Sequence, residues 1–140
     1  LNFDPVSSKT NIGAAVEFMT NAIKKRCTVF ILSDFFDKDD FTSQLTIANR
    51  RHDVVALQIY DQRLAELPNI GIIKVCDAET GSETYIDTSS RQTRRAHHEW
   101  WVRNQMLLRN IFTKSNVDNI SIRTDEDFVK ALMMLFRRRA

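Results

Sequence analysis

The feature that most constrains the fold is an apolar run at residues 27–33, Cys-Thr-Val-Phe-Ile-Leu-Ser, which ends at Asp34. The run is rich in β-branched and aromatic residues and has no periodic polar face. It therefore predicts a strand buried on both faces, as in a parallel sheet. Asp34 would follow the carboxyl end of this strand, where open α/β sheets bind ligands. The simpler alternative is that Asp34 only caps the helix that follows.

The rest of the chain alternates between helical and strand patterns. Strands separated by helices imply a mostly parallel sheet with right-handed crossovers, and therefore a three-layer α/β sandwich. Two short apolar runs flank Gly81 and predict an added β-hairpin. The patterns predict helices at residues 11–26, 41–51, 89–114 and 125–138, strands at 27–33, 53–60 and 117–123, and hairpin strands at 70–76 and 84–86.

Local signals also predict where two of the helices end or begin. Lys24, Lys25 and Arg26 are expected in the last turn of the first helix, where cations complement the helix dipole. Thr124 is followed three residues later by Asp127, which is a capping box with Asp in place of Glu. This pair predicts the start of the last helix.

The predicted sheet lacks an opening strand, because the first clear element is a helix. Residues 1–6 are few and include Pro5, which suits a central strand poorly. A chain of 140 residues can form one domain that buries about two-thirds of its unfolded surface. Either this domain is unusually small, or its opening strands belong to residues outside this chain. Of these two, we expect residues 1–140 to form a single partial domain.

Charge and cysteine content argue against several classes of protein. The chain has 20 Lys and Arg against 18 Asp and Glu, a net charge of +2 that is too near balance to indicate a nucleic-acid partner. No apolar run approaches the roughly 18 residues of a transmembrane helix, so we expect no membrane span in this segment. Cys27 and Cys76 lack the paired spacing of zinc or disulfide sites, which predicts reduced thiols and a cytoplasmic location.

Several separated motifs resemble a known family. Residues 8–15, Ser-Lys-Thr-Asn-Ile-Gly-Ala-Ala, resemble the threonine loop of von Willebrand factor type A domains, and residues 29–34 resemble a later strand of that fold, which ends in Ser-Asp. Nearly the whole chain resembles the bacterial family called domain of unknown function 58. The resemblance implies a von Willebrand A-like, Rossmann-like fold, and a carboxyl-terminal part of a larger protein whose relatives are linked with MoxR-type AAA ATPases. The further segments that carry it are 50–55, 59–63, 66–71, 77–81, 86–88, 123–127 and 136–139.

The resemblance also implies a metal site. In that fold a metal-ion-dependent adhesion site takes one Thr and one Asp, here Thr10 and Asp34, together with an Asp-x-Ser-x-Ser loop. This chain has no such loop. A single carboxylate with hydroxyls suits an open Mg²⁺ or Mn²⁺ site but holds the ion weakly. We therefore expect metal binding to be weak or absent in this chain. The alternative for Thr10 is an N-cap hydroxyl at the first helix.

Four residues are candidates for the rim of this site: Ser33, Asp37, Asp61 and Arg63. Asp37, Asp61 and Arg63 also have plainer interpretations. Asp37 belongs to an acidic cluster at the opening of the second helix, where carboxylates complement the dipole. Asp61 and Arg63 follow the second strand, and a loop ion pair explains them as well as a role at the site does.

The sequence gives little support for catalysis. It has no Gly-rich phosphate loop, no metal-type His spacing and no Ser in a nucleophile elbow. His97 and His98 are adjacent in a predicted helix and point about 100° apart, so they are expected to be solvated or to pack on a neighbouring element. Trp100 and Trp101 cannot both face one core direction, so one is expected at a rim.

Two functions remain after these exclusions. The favoured one is a non-enzymatic protein-interaction domain that acts with a MoxR-type AAA ATPase. The alternative is a divalent-metal-dependent hydrolase that uses the carboxylates near Asp34. Without its upstream neighbour, the strand at residues 27–33 would form a flat apolar edge. We therefore expect a homodimer, formed edge to edge or by exchange of the amino-terminal segment.

Overall fold

The helices and strands follow the predicted order, with one additional short helix at residues 62–65 where the sequence predicts none. The structure is a computed structural model and describes residues 10–77 and 80–139. The helices are α1 (Ile12–Ala22), α2 (Thr42–Arg51), α3 (Gln62–Ala65), α4 (Arg91–Ser115) and α5 (Phe128–Arg139). The strands are β1 (Thr28–Ser33), β2 (Asp53–Tyr60), β3 (Ile72–Cys76), β4 (Glu83–Asp87) and β5 (Asp118–Arg123).

Three of the strands form a parallel sheet in the order β1-β2-β5. The register sets Ser33 beside Gln58 and Ile59 beside Ile122, so the carboxyl ends of the strands meet at one edge. Strands β3 and β4 pair antiparallel as a separate hairpin. The α/β class, the mostly parallel sheet and the added hairpin are therefore confirmed.

The middle strand separates two apolar clusters. Side chains alternate along β2, so Val54 and Ala56 face one side while Val55 and Leu57 face the other. The first side packs against α1, α2 and α4, through residues such as Leu45 and Phe112. The second side packs against α5. Helices thus cover both faces of the sheet, as an α/β sandwich requires.

Strand β1 departs from its prediction, because it is not buried on both faces. Within the described residues it is an edge strand, and its side chains alternate between half-buried and exposed. Val29 and Ile31 pack against the first core. Phe30 and Leu32 point to the other face and are 43% and 64% exposed. The prediction of an apolar edge is confirmed for the described part of the chain.

Two predicted helix ends were wrong. Helix α1 ends at Ala22, and the exposed residues 24–26 lie beyond it rather than in its last turn. Asp127 accepts a hydrogen bond from the backbone N–H of Val129 at 2.9 Å, so it serves the start of α5 alone. The N–H of Thr124 donates to the carbonyl of Tyr60, and Thr124 does not cap the helix.

Thr88 fixes the hairpin to the rest of the molecule. Its side chain is fully buried, and its hydroxyl donates to the carbonyl of Gly71 at 2.6 Å while accepting from the N–H of Ile70 at 3.1 Å. Arg94 on α4 donates to the Thr88 carbonyl at 2.6 Å. At the hairpin tip Gly81 has φ 69°, the positive value for which the sequence predicted a glycine.

The last turn of α5 is tied to the sheet by charge. Arg139 forms an ion pair with Asp53, the first residue of β2, and another with Asp118, the first residue of β5, at 3.0 Å. Arg138 donates to the carbonyl of Asn119 at 2.9 Å. Two of the three terminal arginines therefore hold the helix against the sheet.

No helix among the described residues is long and apolar enough to cross a membrane.

Candidate functional site

The loop that follows β1 folds sharply around Ser33 and Asp34. The backbone N–H of Phe35 donates to the Ser33 hydroxyl at 2.9 Å, and the N–H of Phe36 donates to Asp34 Oδ1 at 3.1 Å. The Ser33 hydroxyl also reaches Asp34 Oδ1 at 3.5 Å. These bonds are the local turns that Ser and Asp side chains favour. They orient one oxygen of Asp34 and leave its side chain exposed at the end of the strand.

Phe35 holds this turn in an unusual backbone conformation. Its φ is 58°, in the left-handed region that bulky residues rarely adopt. Its ring is only 5% exposed and packs against Phe41 at 6.2 Å and edge-on against Phe112 at 5.2 Å between ring centroids. Burial of the ring offsets the backbone strain. The position of Asp34 is therefore set by the core.

Thr10 and Ser33 line one groove between α1 and β1. The groove has a volume of about 430 Å³ and a mostly apolar lining that includes Val16, Met19 and Ile31. Thr10 is exposed and precedes Asn11, whose side chain accepts the N–H of Ala14 at 2.7 Å. The N-cap of α1 is therefore Asn11, and the N-cap alternative for Thr10 was wrong.

The acidic residues that follow Asp34 serve two different helices. Asp37 Oδ2 accepts the N–H of Ile12, the first residue of α1, at 2.7 Å. Asp40 Oδ1 accepts both the hydroxyl and the N–H of Thr42 at the start of α2, at 2.5 and 2.9 Å. Those two hydrogen bonds lower the pKa of Asp40, and the positive charge of Lys114 contributes. Asp40 accepts hydrogen bonds at the start of α2, as predicted for the acidic cluster. Asp37 accepts its hydrogen bond from the start of α1 instead.

A second cavity, of about 300 Å³, lies between this acidic loop and α4. Its lining includes Asp34, amide side chains of α4 and the side chain of Gln58 from β2. Gln58 is 3% exposed, accepts the hydroxyl of Ser121 at 2.8 Å and donates to the carbonyl of Asp34 at 3.5 Å. Sequence reasoning missed Gln58. The available signal was a polar residue inside an otherwise apolar strand, since buried polar groups need hydrogen-bond partners.

Aromatic side chains cover the same edge of the sheet. Phe36 stacks on Trp100 at 5.4 Å, and Tyr60 at the end of β2 lies 5.1 Å from Trp101. Trp101 is buried, while Trp100 is 38% exposed, which confirms that one of the two tryptophans lies at a rim. Burial raises the pKa of Tyr60, and the carboxylate of Glu126 adds to the rise.

Asp61 and Arg63 lie apart from the two cavities beside Asp34. They line a separate cavity of about 390 Å³ with Glu66 and Asp125. Asp61 accepts the N–H of Arg63 at 2.7 Å and so caps α3, a short helix that the sequence did not predict. Their side chains also form an exposed ion pair at 4.0 Å, the plainer of the two interpretations.

The two adjacent histidines are used in packing. His97 Nε2 contacts the carbonyl of Leu64 at 2.9 Å, and His98 Nδ1 contacts the carbonyl of Ala65 at 3.4 Å. Both carbonyls belong to α3. The pair therefore joins α4 to α3, as the packing interpretation expects.

The oxygens near Asp34 suit a divalent cation in type but are few. The candidates are the Asp34 carboxylate, the Ser33 hydroxyl that contacts it, and the hydroxyl of Thr10, which shares the groove with Ser33; all are ligands of the kind that Mg²⁺ prefers. Asp37 has both carboxylate oxygens bonded to backbone N–H groups. Across residues 10–77 and 80–139, no three His, Cys, Asp or Glu side chains gather closely enough to hold a metal.

The chain is similar to mycobacterial proteins. It is 33% identical to the uncharacterized protein MAV169 of Mycobacterium avium over 89 residues, 62% of this chain and 53% of that protein. It is 29% identical to the uncharacterized protein Rv1480 of Mycobacterium tuberculosis over 89 residues, 62% of this chain and 28% of that protein. The chain thus spans about half the length of the first relative and less of the second. No solved structure matches it. Residues 1–106 match the family described as protein of unknown function DUF58, and the chain belongs to that family.

Proposed function

We propose that this chain is a non-enzymatic protein-interaction domain of the von Willebrand A type. The observation that carries the proposal is a continuous surface along β1. Its apolar groove against α1 runs to Thr10 and Ser33, and Ser33 contacts the exposed Asp34. An apolar strand edge that ends in hydroxyl and carboxylate oxygens suits recognition of an extended protein segment with a polar anchor.

We further propose that a divalent ion, Mg²⁺ or Mn²⁺, takes part in this recognition. Thr10, Ser33 and Asp34 would supply oxygen ligands, and a carboxylate of the partner would supply another. Because the donors of this chain are few, binding of the ion to the chain alone is expected to be weak or absent. An open, weak site of this kind favours a bridging role for the ion.

The proposed partner is a MoxR-type AAA ATPase, in cytoplasmic assembly or chaperone work. This step rests on the family resemblance and on the exposed surface together. A second copy of the chain is proposed as a further partner, because β1 exposes apolar side chains at the edge of the sheet.

A hydrolase is the second candidate, and one observation favours it. The cavity between the loop and α4 is lined by four carboxylates, those of Asp34, Asp37, Asp39 and Asp40. Metal-assisted hydrolysis needs carboxylate ligands and a positioned base. Asp37 and Asp40 accept hydrogen bonds from backbone N–H groups at helix starts, however, which gives both a structural role. The interaction domain is therefore preferred.

Binding to the purified MoxR-type ATPase of the same organism tests the proposal. We expect saturable binding in Mg²⁺ that weakens at least tenfold in EDTA and in Asp34→Ala. Asp39→Ala is the matched control, because Asp39 lies in the same loop and its carboxylate forms no hydrogen bond among the described residues. Binding that Asp34→Ala leaves unchanged would remove the metal-bridged mode.

Assays for phosphatase, nuclease and nucleotidase activity with Mg²⁺ or Mn²⁺ separate the two candidates. We expect no turnover, because no activated nucleophile lies near Asp34 in the described structure. Turnover that is lost in Asp34→Asn and kept in Asp39→Asn would replace the proposed function with the hydrolase.

A further inference from the structure

Helix α4 carries a row of exposed side chains along most of its length. Its buried side includes Leu108 and Phe112, which pack in the first core. On its exposed side, residues that are three or four positions apart fall into one row on the helix surface. The row, which we call the α4 stripe, consists of Arg91, Arg95, His98, Val102, Met106 and Arg109. All six are exposed, and steps of three or four residues are those of positions that meet a partner helix.

The centre of the α4 stripe is apolar. Val102 and Met106 are four residues apart, so their side chains are neighbours on the helix surface, and they are 41% and 60% exposed. The side of an amphipathic helix that faces water normally carries polar residues. Two neighbouring apolar side chains on this side therefore suit burial against apolar side chains of another molecule.

Both ends of the α4 stripe are positively charged. Helix α4 contains six Lys or Arg residues and a single acidic residue, Glu99, which pairs with Arg95 at 2.9 Å. Arg91 and Arg109 form no ion pair within the part of the chain that the structure describes. Cations thus stand before and after the apolar centre, and carboxylates of a partner would complement them.

This order of charge and apolar surface selects the occupant. A nucleic-acid backbone would satisfy the arginines but would leave Val102 and Met106 without apolar cover. A membrane surface suits helices with a broad apolar face of Trp, Phe and Leu, whereas the α4 stripe offers two smaller side chains. A helix with apolar residues between acidic ones, all on one face, meets both requirements.

We propose that the α4 stripe binds an acidic amphipathic helix of a partner protein. None of its six residues lines either of the two cavities beside Asp34. The inference therefore goes beyond the proposed function, since it adds a second contact surface that uses neither β1 nor a metal ion. A surface of this small size predicts a weak, transient contact.

A designed peptide tests the proposal. The probe is an amphipathic helix of about 20 residues, which spans the α4 stripe at about 1.5 Å per residue. It has two Leu at the centre of one face and Glu toward both ends of that face. We expect saturable micromolar binding, measured by fluorescence anisotropy of the labelled peptide. Met106→Ser and Arg109→Glu should each weaken it about tenfold, by loss of apolar burial and by charge repulsion.

Arg103→Glu is the matched control, because Arg103 is exposed on α4 outside the α4 stripe. It makes the same change in charge as Arg109→Glu and should leave the affinity within about twofold. Two further peptides carry Lys in place of Glu at one end or at the other. One of them should restore binding to Arg109→Glu within about threefold, and which one does so gives the orientation of the bound helix. All of these positions are exposed, and circular dichroism verifies that each variant folds.

Three results would overturn the proposal. The first is the absence of peptide binding. The second is a loss in Arg103→Glu equal to that in Arg109→Glu, or no loss in Met106→Ser, because binding would then follow net charge alone. The third is binding to phosphatidylserine vesicles that depends on Met106 and Arg109 but not on Arg103, which would assign the α4 stripe to a membrane. Asp34→Ala should leave peptide binding unchanged, so ATPase binding tests the proposed function separately.

Discussion

Strands β1 and β2 are neighbours of similar apolar character with opposite surroundings. Leu32 of β1 and Leu57 of β2 lie side by side in the register and point to the same face of the sheet. Leu32 is 64% exposed and Leu57 is 6% exposed. Within the described residues, strand β2 is paired on both edges and covered on both faces, whereas β1 is paired on one edge and leaves Phe30 and Leu32 exposed on its α5 side.

The difference shows that an apolar composition indicates that a strand can be buried, and does not show that it is buried. Edge strands in soluble proteins commonly carry charges, prolines or bulges that discourage further pairing. The six residues of β1, Thr-Val-Phe-Ile-Leu-Ser, include no charged residue and no proline. Strand β1 is therefore built as an interior strand while it lies at an edge among the described residues, which is why a pairing partner is expected.

Matched truncations of the two leucines give the largest expected effect. Leu57→Ala should lower the free energy of unfolding by about 2–4 kcal/mol, because it leaves a cavity in the cluster beneath α5. Leu32→Ala should change it by less than about 0.5 kcal/mol in the monomer, because little of its side chain is buried. Urea unfolding at equal, low protein concentration measures both.

The same pair of variants also tests whether β1 is covered in solution. If Leu32→Ala lowers the free energy of unfolding as much as Leu57→Ala does at low protein concentration, then β1 is covered in the monomer. The contrast between the two strands would then be wrong. A cost for Leu32→Ala that grows with protein concentration would instead show that a second copy covers it.

The alternation of elements was predictable from sequence because periodicity reflects which faces are buried. The patterns located each predicted helix and strand to within a few residues, and β2 at residues 53–60 matches its prediction. The burial of β1 was not predictable in this way. A continuous apolar run indicates that a strand can be buried on both sides, but it does not tell whether the covering neighbour is present.

The candidate site was predictable only where it depends on local sequence patterns. Asp34 does follow the end of β1, since strand ends can be located from the apolar run. The bond from Asp37 to the N–H of Ile12 joins residues 25 apart in the chain. Arg139 joins α5 to Asp53, 86 residues away. Contacts between residues so far apart depend on the tertiary arrangement, which local patterns do not encode.

Removing the ion pairs between α5 and the first residues of β2 and β5 should have an intermediate effect on the free energy of unfolding. Arg139→Met keeps most of the side-chain length but loses both ion pairs, and we expect a loss of about 1 kcal/mol because the partner carboxylates are partly exposed. The loss should shrink in high salt, which screens the pairs. Arg137→Met is the control, since Arg137 is exposed in the same turn. Equal losses in the two variants would contradict the role given to Arg139.

The smallest expected effect concerns the pKa of Tyr60, at the covered end of β2. Burial raises this pKa above the ordinary value of 10.0, the carboxylates of Glu126 and Asp125 add to the rise, and Arg123 opposes it. A pKa that is higher in the folded than in the unfolded state favours the protonated phenol in the fold. The resulting stabilisation is fully present below the unfolded pKa and is lost as pH rises through the folded pKa. Above about pH 10, the free energy of unfolding of the wild type should therefore fall relative to that of Tyr60→Phe.

The chain contains two tyrosines, so Tyr85→Phe leaves Tyr60 as the only phenol. Near-ultraviolet absorbance of tyrosinate in that variant then gives the pKa of Tyr60 directly. We expect a midpoint above 10.0, which should fall in Trp101→Leu because the indole beside Tyr60 contributes to its burial. Strand β1 is followed instead by the exposed Asp34, so the two strands would differ in burial at their carboxyl ends as they do along their lengths. A midpoint at or below 10.0 would mean that water reaches the end of β2, and that the contrast between covered and uncovered strands stops short of this edge.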